Sequence, residues 1–280
     1  MKRFLFPTDF SPVANQALAF CTHLAHRLGA EIIVMHAHDN QLLETDLLPF
    51  HIAKALNLGE HNDATEQAQK YVETLMRRVG KQVPFEVRIL YGYPREEILN
   101  TCQQDHPDMI VMGTTGATNA VESFFGSTTS AVMLHSGCPV LAVPPGTQYR
   151  DISKIAYATD FKEPHSRIFY ELSRLAKMLE AEIFCVHVET VHVSEKEQHS
   201  QFFPSLPPVE YDQMSLHVIH NHNVIEGLKE FIDQNEVGLL AMQPHERHFP
   251  QRLWKKSITR QMVLQSEVPV LSIRDKILNR

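Results

Sequence analysis

Apolar runs alternate with amphipathic stretches along the chain and predict a repeated strand–helix architecture. Residues 31–37, EIIVMHA, and residues 108–112, DMIVM, are almost continuously apolar, as is typical of strands covered on both faces. Between them, residues 61–78 place apolar side chains at helical spacing, which predicts an amphipathic helix. The apolar face of this helix consists of Ala64, Ala68, Tyr71, Val72, Leu75 and Met76. Strands that alternate with helices predict a parallel, doubly wound α/β sheet.

The chain contains the same pattern twice. Residues 4–37 align without a gap on residues 155–188, a shift of 151, and ten of the 34 pairs are identical. Near the end of each half the shift is 130, since SGCPVLAVP at 136–144 matches SEVPVLSIR at 266–274. An internal repeat of this length indicates one domain duplicated, so we expect tandem domains over residues 1–147 and 151–280.

The second copy is 21 residues shorter between its second and third strands. Pro204, Pro207 and Pro208 lie in this shorter segment, and proline disfavours the interior of a helix. We therefore expect a loop there, with most of one helix missing. The apolar last strands, PVLAV and PVLSI, would be exposed edges, so we expect the two domains to pair through them as an intrachain pseudo-dimer. A homodimer is a further alternative.

Composition narrows the classes of function. Hydrophobic residues make up 43% of the 280 and the net charge is −7, which disfavours non-specific binding to nucleic acid or anionic membranes. The first residues, MKRFLFPTDFSP, predict a strand and not a signal peptide, and no run approaches the roughly 18 apolar residues of a membrane span. The cysteines form no CxxC pair and lie among apolar residues, so we interpret them as reduced core side chains of a cytoplasmic protein. They are Cys21, Cys102, Cys138 and Cys185.

Candidate chemistry follows strands 1 and 2. Right-handed crossovers place the loops after strands 1 and 4 side by side at the carboxyl edge of the sheet, the usual ligand crevice. Asp9 follows strand 1, where it is either a turn residue or an acceptor for a ribose hydroxyl or base. Ser11 is a good helix N-cap and Pro12 suits the first turn. His36, at the end of strand 2, is interpreted as a partly buried strand residue satisfied by a neighbour.

A glycine loop follows strand 4. Its sequence is GTTGATNAVESFFGST over residues 113–128, with Gly113-x-x-Gly116, nine residues, and Gly126-Ser127. This is neither a P-loop nor the dinucleotide fingerprint that follows a first strand. Glycine at the strand exit permits close backbone approach, and glycine-serine at a helix start favours phosphate. A phosphate site is therefore favoured over an ordinary surface turn.

PTDFS after strand 1, the two-part glycine loop and CPVLAVP together resemble the universal stress protein family, over nearly the whole chain as a tandem pair. The resemblance implies a five-stranded parallel sheet in the order 3-2-1-4-5 in each domain. It also implies that a domain with the complete glycine signature binds ATP (or AMP/ADP), with or without Mg²⁺, and has at most weak ATP hydrolysis. The implied nucleotide-binding residues are Pro7, Thr8, Asp9, Ala37, Met112, Gly113, Gly116, Gly126, Ser127 and Thr128.

The second half departs from this signature. Gln243, Glu246 and Lys256 stand where the first half has its three glycines, and only Ser257 is retained. A glutamate beside a polyphosphate is repulsive, so we expect one adenine-nucleotide site, in the first domain, and a degenerate partner domain. The expected role is that of a stress-response sensor or regulator.

Two alternatives come from other classes of protein. A slow ATPase would need a base within reach, and only His36 and Asp9 are near. A scaffold without nucleotide would bind a protein or an apolar ligand in the second domain, near Phe202, Phe203 and Leu206. Metal binding is not predicted, although histidine is abundant, because no cysteine or carboxylate motif joins the clusters. These clusters contain His217, His220, His222, His245 and His248.

Overall fold

The protein is described by a computed structural model over residues 1–38, 49–57, 61–114, 127–160, 166–190, 211–244 and 258–274. The chain divides into two compact units, Met1–Tyr149 and Arg150–Arg280. Each unit is built from strands that alternate with helices around a parallel sheet.

The first unit contains five strands and five helices among its described residues. In chain order they are β1 (Arg3–Pro7), α1 (Pro12–Leu28), β2 (Glu31–His38), α2 (Phe50–Asn57), α3 (His61–Val79), β3 (Phe85–Tyr91), α4 (Pro94–Asp105), β4 (Met109–Gly113), α5 (Ser127–His135) and β5 (Val140–Val143).

The strands of the first unit lie in the order β3-β2-β1-β4-β5, and every pair is parallel. Pro7, the last residue of β1, pairs with Met35, and β2 then continues for three residues beside β3. The strand β2 therefore extends past the end of β1 at the carboxyl edge of the sheet, where parallel α/β sheets bind ligands.

Local signals in the sequence account for the ends of α1. The side chain of Ser11 caps its first turn by accepting a hydrogen bond from the Ala14 N–H at 3.2 Å, and Pro12 is its first residue. The helix ends at Gly29, whose φ of 63° is the left-handed conformation that glycine adopts without steric penalty. The Ser11 cap and the position of Pro12 agree with the sequence prediction.

The predicted helix at residues 61–78 is confirmed as α3. Four residues of its apolar face are fully buried: Ala64, Ala68, Val72 and Met76. On the exposed side, Lys70 pairs with Glu66 and Arg77 pairs with Glu73, each at 2.6 Å and four residues apart. Helix α3 is thus held mainly by burial of one face, and the exposed ion pairs add little.

The second unit repeats this architecture. Its described elements are β6 (Lys154–Ala158), α6 (Ser166–Leu179), β7 (Glu182–Glu189), β8 (Met214–His220), α7 (Val224–Gln234), β9 (Leu239–Met242), α8 (Ile258–Gln265) and β10 (Val270–Ser272). The strands lie in the order β8-β7-β6-β9-β10 and all pairs are parallel.

The predicted fold class is confirmed: each unit is a doubly wound α/β domain with strand order 3-2-1-4-5. The shortened helix of the second copy was predicted within residues 191–210, which lie outside the described residues. Within the part of the chain that the structure describes, no helix is both long enough and apolar enough to cross a membrane.

Candidate functional site

The residues after β1 form a tight polar turn. The Phe10 N–H donates to the Thr8 hydroxyl at 2.9 Å, and the Ser11 N–H donates to Asp9 Oδ1 at 3.0 Å. Phe10 has a φ of 57°, uncommon for a non-glycine residue, and its ring is buried. These bonds hold the half-buried Asp9 at the carboxyl edge of the sheet, directly before α1.

His36 is locked to the end of β1. Its ring Nδ1 lies 2.8 Å from the carbonyl oxygen of Thr8. A carbonyl only accepts, so Nδ1 carries the proton and Nε2 is the bare nitrogen of the neutral ring. Nε2 is buried and meets no hydrogen-bonding partner among the described residues. Burial lowers the pKa of His36, while the bond to Thr8 opposes that shift.

An aromatic cluster covers this turn. The Phe10 ring lies 5.2 Å from the His36 ring and 5.8 Å from the Tyr71 ring, measured between centroids, with Tyr71 edge-on. Asn15 Nδ2 donates to the Phe10 carbonyl at 3.2 Å and to the Tyr71 hydroxyl at 3.0 Å. The start of α1 and the middle of α3 are therefore connected over the end of β1.

The backbone of Ala37 faces the edge of the sheet on the β1 side. In a parallel sheet, successive residues direct their N–H and C=O groups alternately to the two neighbouring strands. The Met35 carbonyl accepts from the Thr8 N–H at 2.8 Å, and the His38 carbonyl accepts from the Gly92 N–H at 3.0 Å on the β3 side. Ala37 therefore points its groups towards β1, beyond the last pair of the β1–β2 ladder.

The end of β4 is tied to β5 and α5. The Thr114 N–H donates to the Val143 carbonyl at 3.1 Å, and the Thr129 hydroxyl donates to the Gly113 carbonyl at 3.1 Å. A Cβ placed on Gly113 would lie 3.5 Å from Val13 Cγ1, an ordinary van der Waals contact. The side of Gly113 from which a Cβ would project thus faces the start of α1, and the Thr129 bond holds the first turn of α5 beside the strand.

The described site residues gather at the ends of β1, β2 and β4. Pro7 and Met112 are buried, whereas Thr8, Asp9, Ala37, Gly113 and Thr128 are half-buried. Ser127 is the first residue of α5, as expected for a helix that opens after the glycine loop. Gly116 and Gly126 lie outside the described residues, as do Glu246, Lys256 and Ser257 of the second half.

The second unit repeats two of these contacts at the positions that the sequence alignment predicts. His187 Nδ1 lies 3.0 Å from the Thr159 carbonyl oxygen, which matches His36 and Thr8. The Thr259 hydroxyl donates to the Gln243 carbonyl at 3.4 Å, which matches Thr129 and Gly113.

The second unit differs from the first at the end of its fourth strand. Gln243 carries a side chain where the first unit has a glycine, and its Oε1 is buried without a hydrogen-bonding partner among the described residues. Both units therefore share these two contacts but present different side chains at the end of the fourth strand.

The histidine clusters of the second unit do not converge on a metal site within the described residues. His217 Nε2 lies 2.8 Å from the Ser215 hydroxyl, and its ring packs edge-on against Phe184. His220 Nδ1 lies 3.3 Å from a Glu189 carboxylate oxygen. No group of three or more histidine, cysteine, aspartate or glutamate side chains is placed to hold a metal in the described ranges; His245 and His248 lie outside them.

Two residues at the site were not singled out as site residues from the sequence. Asn15 joins Phe10 to Tyr71, and Tyr71 was predicted only as part of the apolar face of a helix. A polar Asn15 in the first turn of a largely apolar helix was the available signal. Its partner is 56 residues away, so the pairing depends on how α1 and α3 pack.

The fold and this edge define the first unit as a doubly wound α/β domain with polar groups gathered at the ends of β1, β2 and β4. The chain belongs to the universal stress protein family, whose model matches residues 1–144. It is 32% identical over 153 residues to Universal stress protein MJ0577 of Methanocaldococcus jannaschii, a match covering 51% of this chain and 94% of that protein.

Two further similarities extend over the whole length. Universal stress protein Slr1230 of Synechocystis is 22% identical over 299 residues, covering 98% of this chain and 100% of that one. The crystal structure of a universal stress protein from Archaeoglobus fulgidus matches with a TM-score of 0.73 and 17% identity, covering 98% of each chain. The two-unit fold is therefore shared over essentially the complete sequence.

Proposed function

We propose that the first unit binds one adenine nucleotide, ATP or AMP/ADP, at the carboxyl edge of its sheet, with or without Mg²⁺. In this proposal the protein is a stress-response sensor or regulator whose state depends on the bound nucleotide. The observation that carries the proposal is the meeting of three chemically distinct groups at one edge. They are the Asp9 carboxylate, the outward-facing backbone of Ala37 and the end of β4 beside the first turn of α5.

The adenine would lie against Ala37. An adenine edge presents an N–H donor next to a ring-nitrogen acceptor, and the backbone C=O and N–H of one residue offer the complementary pair. These groups of Ala37 lie past the β1 ladder, which ends at Pro7 and Met35. On that side, the Thr8 carbonyl already accepts a hydrogen bond from the His36 ring. The adenine would therefore pair with Ala37 at the place where the β1–β2 ladder would have its next residue of β1.

The ribose would lie against Asp9. Asp9 already accepts the Ser11 N–H through Oδ1 at 3.0 Å. A carboxylate can accept several hydrogen bonds at once, so the turn and a ribose hydroxyl are compatible. The turn bonds keep the carboxylate oriented before a ligand arrives, which reduces the entropy lost on binding.

The phosphates would lie at the start of α5. Backbone N–H groups in the first turn of a helix have no partner within the helix, and the helix dipole favours an anion there. The Thr129 bond to Gly113 keeps this turn beside the end of β4. Thr128, in the same turn, would add a hydroxyl donor.

The first experiment is to denature the purified full-length chain and separate the released small molecules by ion-exchange chromatography, with calorimetric titration of ATP, ADP and AMP into nucleotide-free protein. We expect an adenine nucleotide with a stoichiometry of one per chain. Titrations with Mg²⁺ and with EDTA define the role of the cation, and phosphate release measures hydrolysis. Absence of both a released nucleotide and calorimetric binding would refute the proposal.

A further inference from the structure

Two cysteines far apart in sequence lie side by side in the first unit. The Sγ atoms of Cys102, in the last turns of α4, and Cys138, in the turn between α5 and β5, are 3.0 Å apart and 36 residues apart in the chain. Both are free thiols. The sequence predicted four reduced core cysteines, and one placement needs correction: Cys138 is half-buried, and its thiol contacts that of Cys102.

Polar groups surround this sulfur pair. The Ser136 hydroxyl lies 3.6 Å from Cys102 Sγ and 3.4 Å from Cys138 Sγ, and it also accepts the Cys138 N–H at 3.1 Å. The hydrogen bond from the Cys138 thiol, opposed by burial, lowers the pKa of Cys102, and Ser136 with the Gly137 and Cys138 amides lowers it further. The same sulfur contact and burial raise the pKa of Cys138. The Ser136 hydroxyl donates its proton to the Cys138 carbonyl at 3.0 Å. A thiolate on Cys102 is therefore stabilised by the Cys138 thiol and by the amides of this short turn.

The other two cysteines have no such environment. Burial alone raises the pKa of the Cys21 and Cys185 thiols. Both are almost completely buried in the cores of their units. They behave as inert core residues and serve as internal controls in the same chain.

The second unit shows that packing does not require the sulfur pair. At the shift of 130, Cys102 corresponds to Ile232 and Cys138 to Val268. Ser266 there repeats the turn, since its hydroxyl donates to the Val268 carbonyl at 2.8 Å and accepts the Val268 N–H at 3.2 Å. The turn is thus part of the scaffold, while the two sulfurs are specific to the first unit.

We propose that Cys102 and Cys138 form a peroxide-reactive thiol pair that closes to an intrachain disulfide joining α4 to the turn before β5. A sulfur–sulfur bond is about 2.05 Å long, so the two atoms approach each other by about 1 Å. The site takes a small hydroperoxide, since Cys102 is only 5% exposed. This inference is independent of the proposed nucleotide site.

The chemistry balances in two steps. The Cys102 thiolate attacks one oxygen of hydrogen peroxide, the O–O bond breaks, and the departing hydroxide takes up the proton that Cys102 had released, so that water and a sulfenic acid form. The Cys138 sulfur then attacks the Cys102 sulfur, and the S–O bond breaks. The hydroxide leaves with the Cys138 proton as a second water. The two thiols lose two electrons, which reduce one peroxide to two waters.

The test uses the reduced full-length chain, equimolar hydrogen peroxide and mass spectrometry after alkylation without reduction. Trypsin releases residues 96–150 as one peptide that contains both cysteines, because no lysine or arginine lies between Arg95 and Arg150. We expect this peptide to lose two hydrogens and to carry no alkyl group, while Cys21 and Cys185 are alkylated once the chain is denatured. Cleavage at Glu122 should leave its two parts joined until a reductant is added.

Matched variants copy the second unit. Cys138→Val should leave a sulfenic acid on Cys102 that dimedone traps, with no loss of two hydrogens. Cys102→Ile should slow peroxide consumption by about tenfold or more, because the stabilised thiolate is gone. Circular dichroism of both variants checks that they fold. The proposal is overturned if equimolar peroxide leaves peptide 96–150 unchanged, or if it yields sulfinic acid without a disulfide.

Discussion

The imidazole Nδ1 of His36 bonds the carbonyl oxygen of Thr8 at 2.8 Å, and His187 bonds Thr159 in the same way at 3.0 Å. Both pairs are separated by 28 residues. In each unit the bond connects the end of the second strand to the residue after the first. Because the contact is present in both units, although only the first has the glycine signature, it is a part of the scaffold that positions the edge.

Removing this bond should destabilise the first unit. His36→Ala leaves the Thr8 carbonyl unsatisfied and a cavity where the ring was, so the free energy of unfolding should fall by about 2–4 kcal/mol. His36→Asn is the matched control, because its side-chain amide can donate from nearly the position of Nδ1, and it should lose about half as much or less. Urea unfolding followed by circular dichroism measures both. Equal losses in the two variants would show that ring packing, and not the hydrogen bond, is responsible.

Stability should decrease as the pH falls below about 6.5, the ordinary pKa of histidine. Burial lowers the pKa of His36 in the folded protein, so the unfolded chain binds more protons than the folded one between the two pKa values. The free energy of unfolding therefore rises with pH between these two pKa values. Above the pKa of the unfolded chain, the contribution of His36 reaches its full value.

The pH effect is isolated by subtraction. Melting temperatures of the wild type and of His36→Asn from pH 5 to pH 8 should differ most at neutral pH and converge as the pH falls. Parallel curves would show that His36 does not contribute to the acid sensitivity.

The residues that end α1 and α6 allow the effect of glycine at a helix C-terminus to be tested by both adding and removing a glycine. Gly29 caps α1 with a φ of 63°, and Glu180 occupies the equivalent place after α6 with a φ of 59°. The left-handed conformation is unfavourable for a residue with a Cβ. Glu180→Gly should therefore stabilise its unit by about 0.5–1 kcal/mol, and Gly29→Glu should destabilise its unit by a similar amount.

Denaturant midpoints of the two variants, with glycine introduced in one case and removed in the other, measure this effect. Because the two positions have the same backbone conformation, the changes should have opposite signs. Changes of the same sign would contradict the conformational explanation.

Gly113→Gln copies the second unit and should weaken nucleotide binding by about tenfold or more, equivalent to about 1.4 kcal/mol. The new side chain would extend from the end of β4 beside Val13 and Ala17, which lie 3.5 Å and 3.7 Å from the position of a Cβ, and would take up space that the proposal gives to the nucleotide. Gly113→Ala controls for folding, because its Cβ fits at ordinary contact distance, and its unfolding midpoint should match the wild type. Calorimetry gives the affinities, and unchanged affinity in a folded Gly113→Gln would argue against phosphate binding at this edge.

Two substitutions separate the proposed contact of Asp9 with the nucleotide from its role in the turn after β1. Asp9→Asn retains an oxygen that accepts the Ser11 N–H, so stability should hold, while the loss of charge weakens the bond to a ribose hydroxyl and lowers nucleotide affinity several-fold. Ser11→Ala removes the helix cap and should lower the free energy of unfolding by about 1 kcal/mol without changing affinity. If Asp9→Asn binds nucleotide as the wild type does, Asp9 is a turn residue only.

Much of the scaffold could be predicted because its signals are local or repeated. The residues of α3 that are buried had been assigned to one face by spacing alone, and the cap at Ser11 follows from residue preferences at helix starts. The duplication also aligns contacts such as Thr129 to Gly113 with Thr259 to Gln243. Asn15 could not be paired with Tyr71 in advance, since their approach depends on the packing of α1 against α3.

The fold class, the tandem repeat and the residues at the strand ends follow from the amino-acid sequence, because periodicity and internal repetition are properties of the chain. Which of those residues meet depends on the tertiary structure. It turned the backbone of Ala37 outwards, placed Gly113 against α1, and brought the thiols of Cys102 and Cys138 into contact. Such contacts depend on strand register and helix packing, which bring together groups that are tens of residues apart and leave no mark on local pattern.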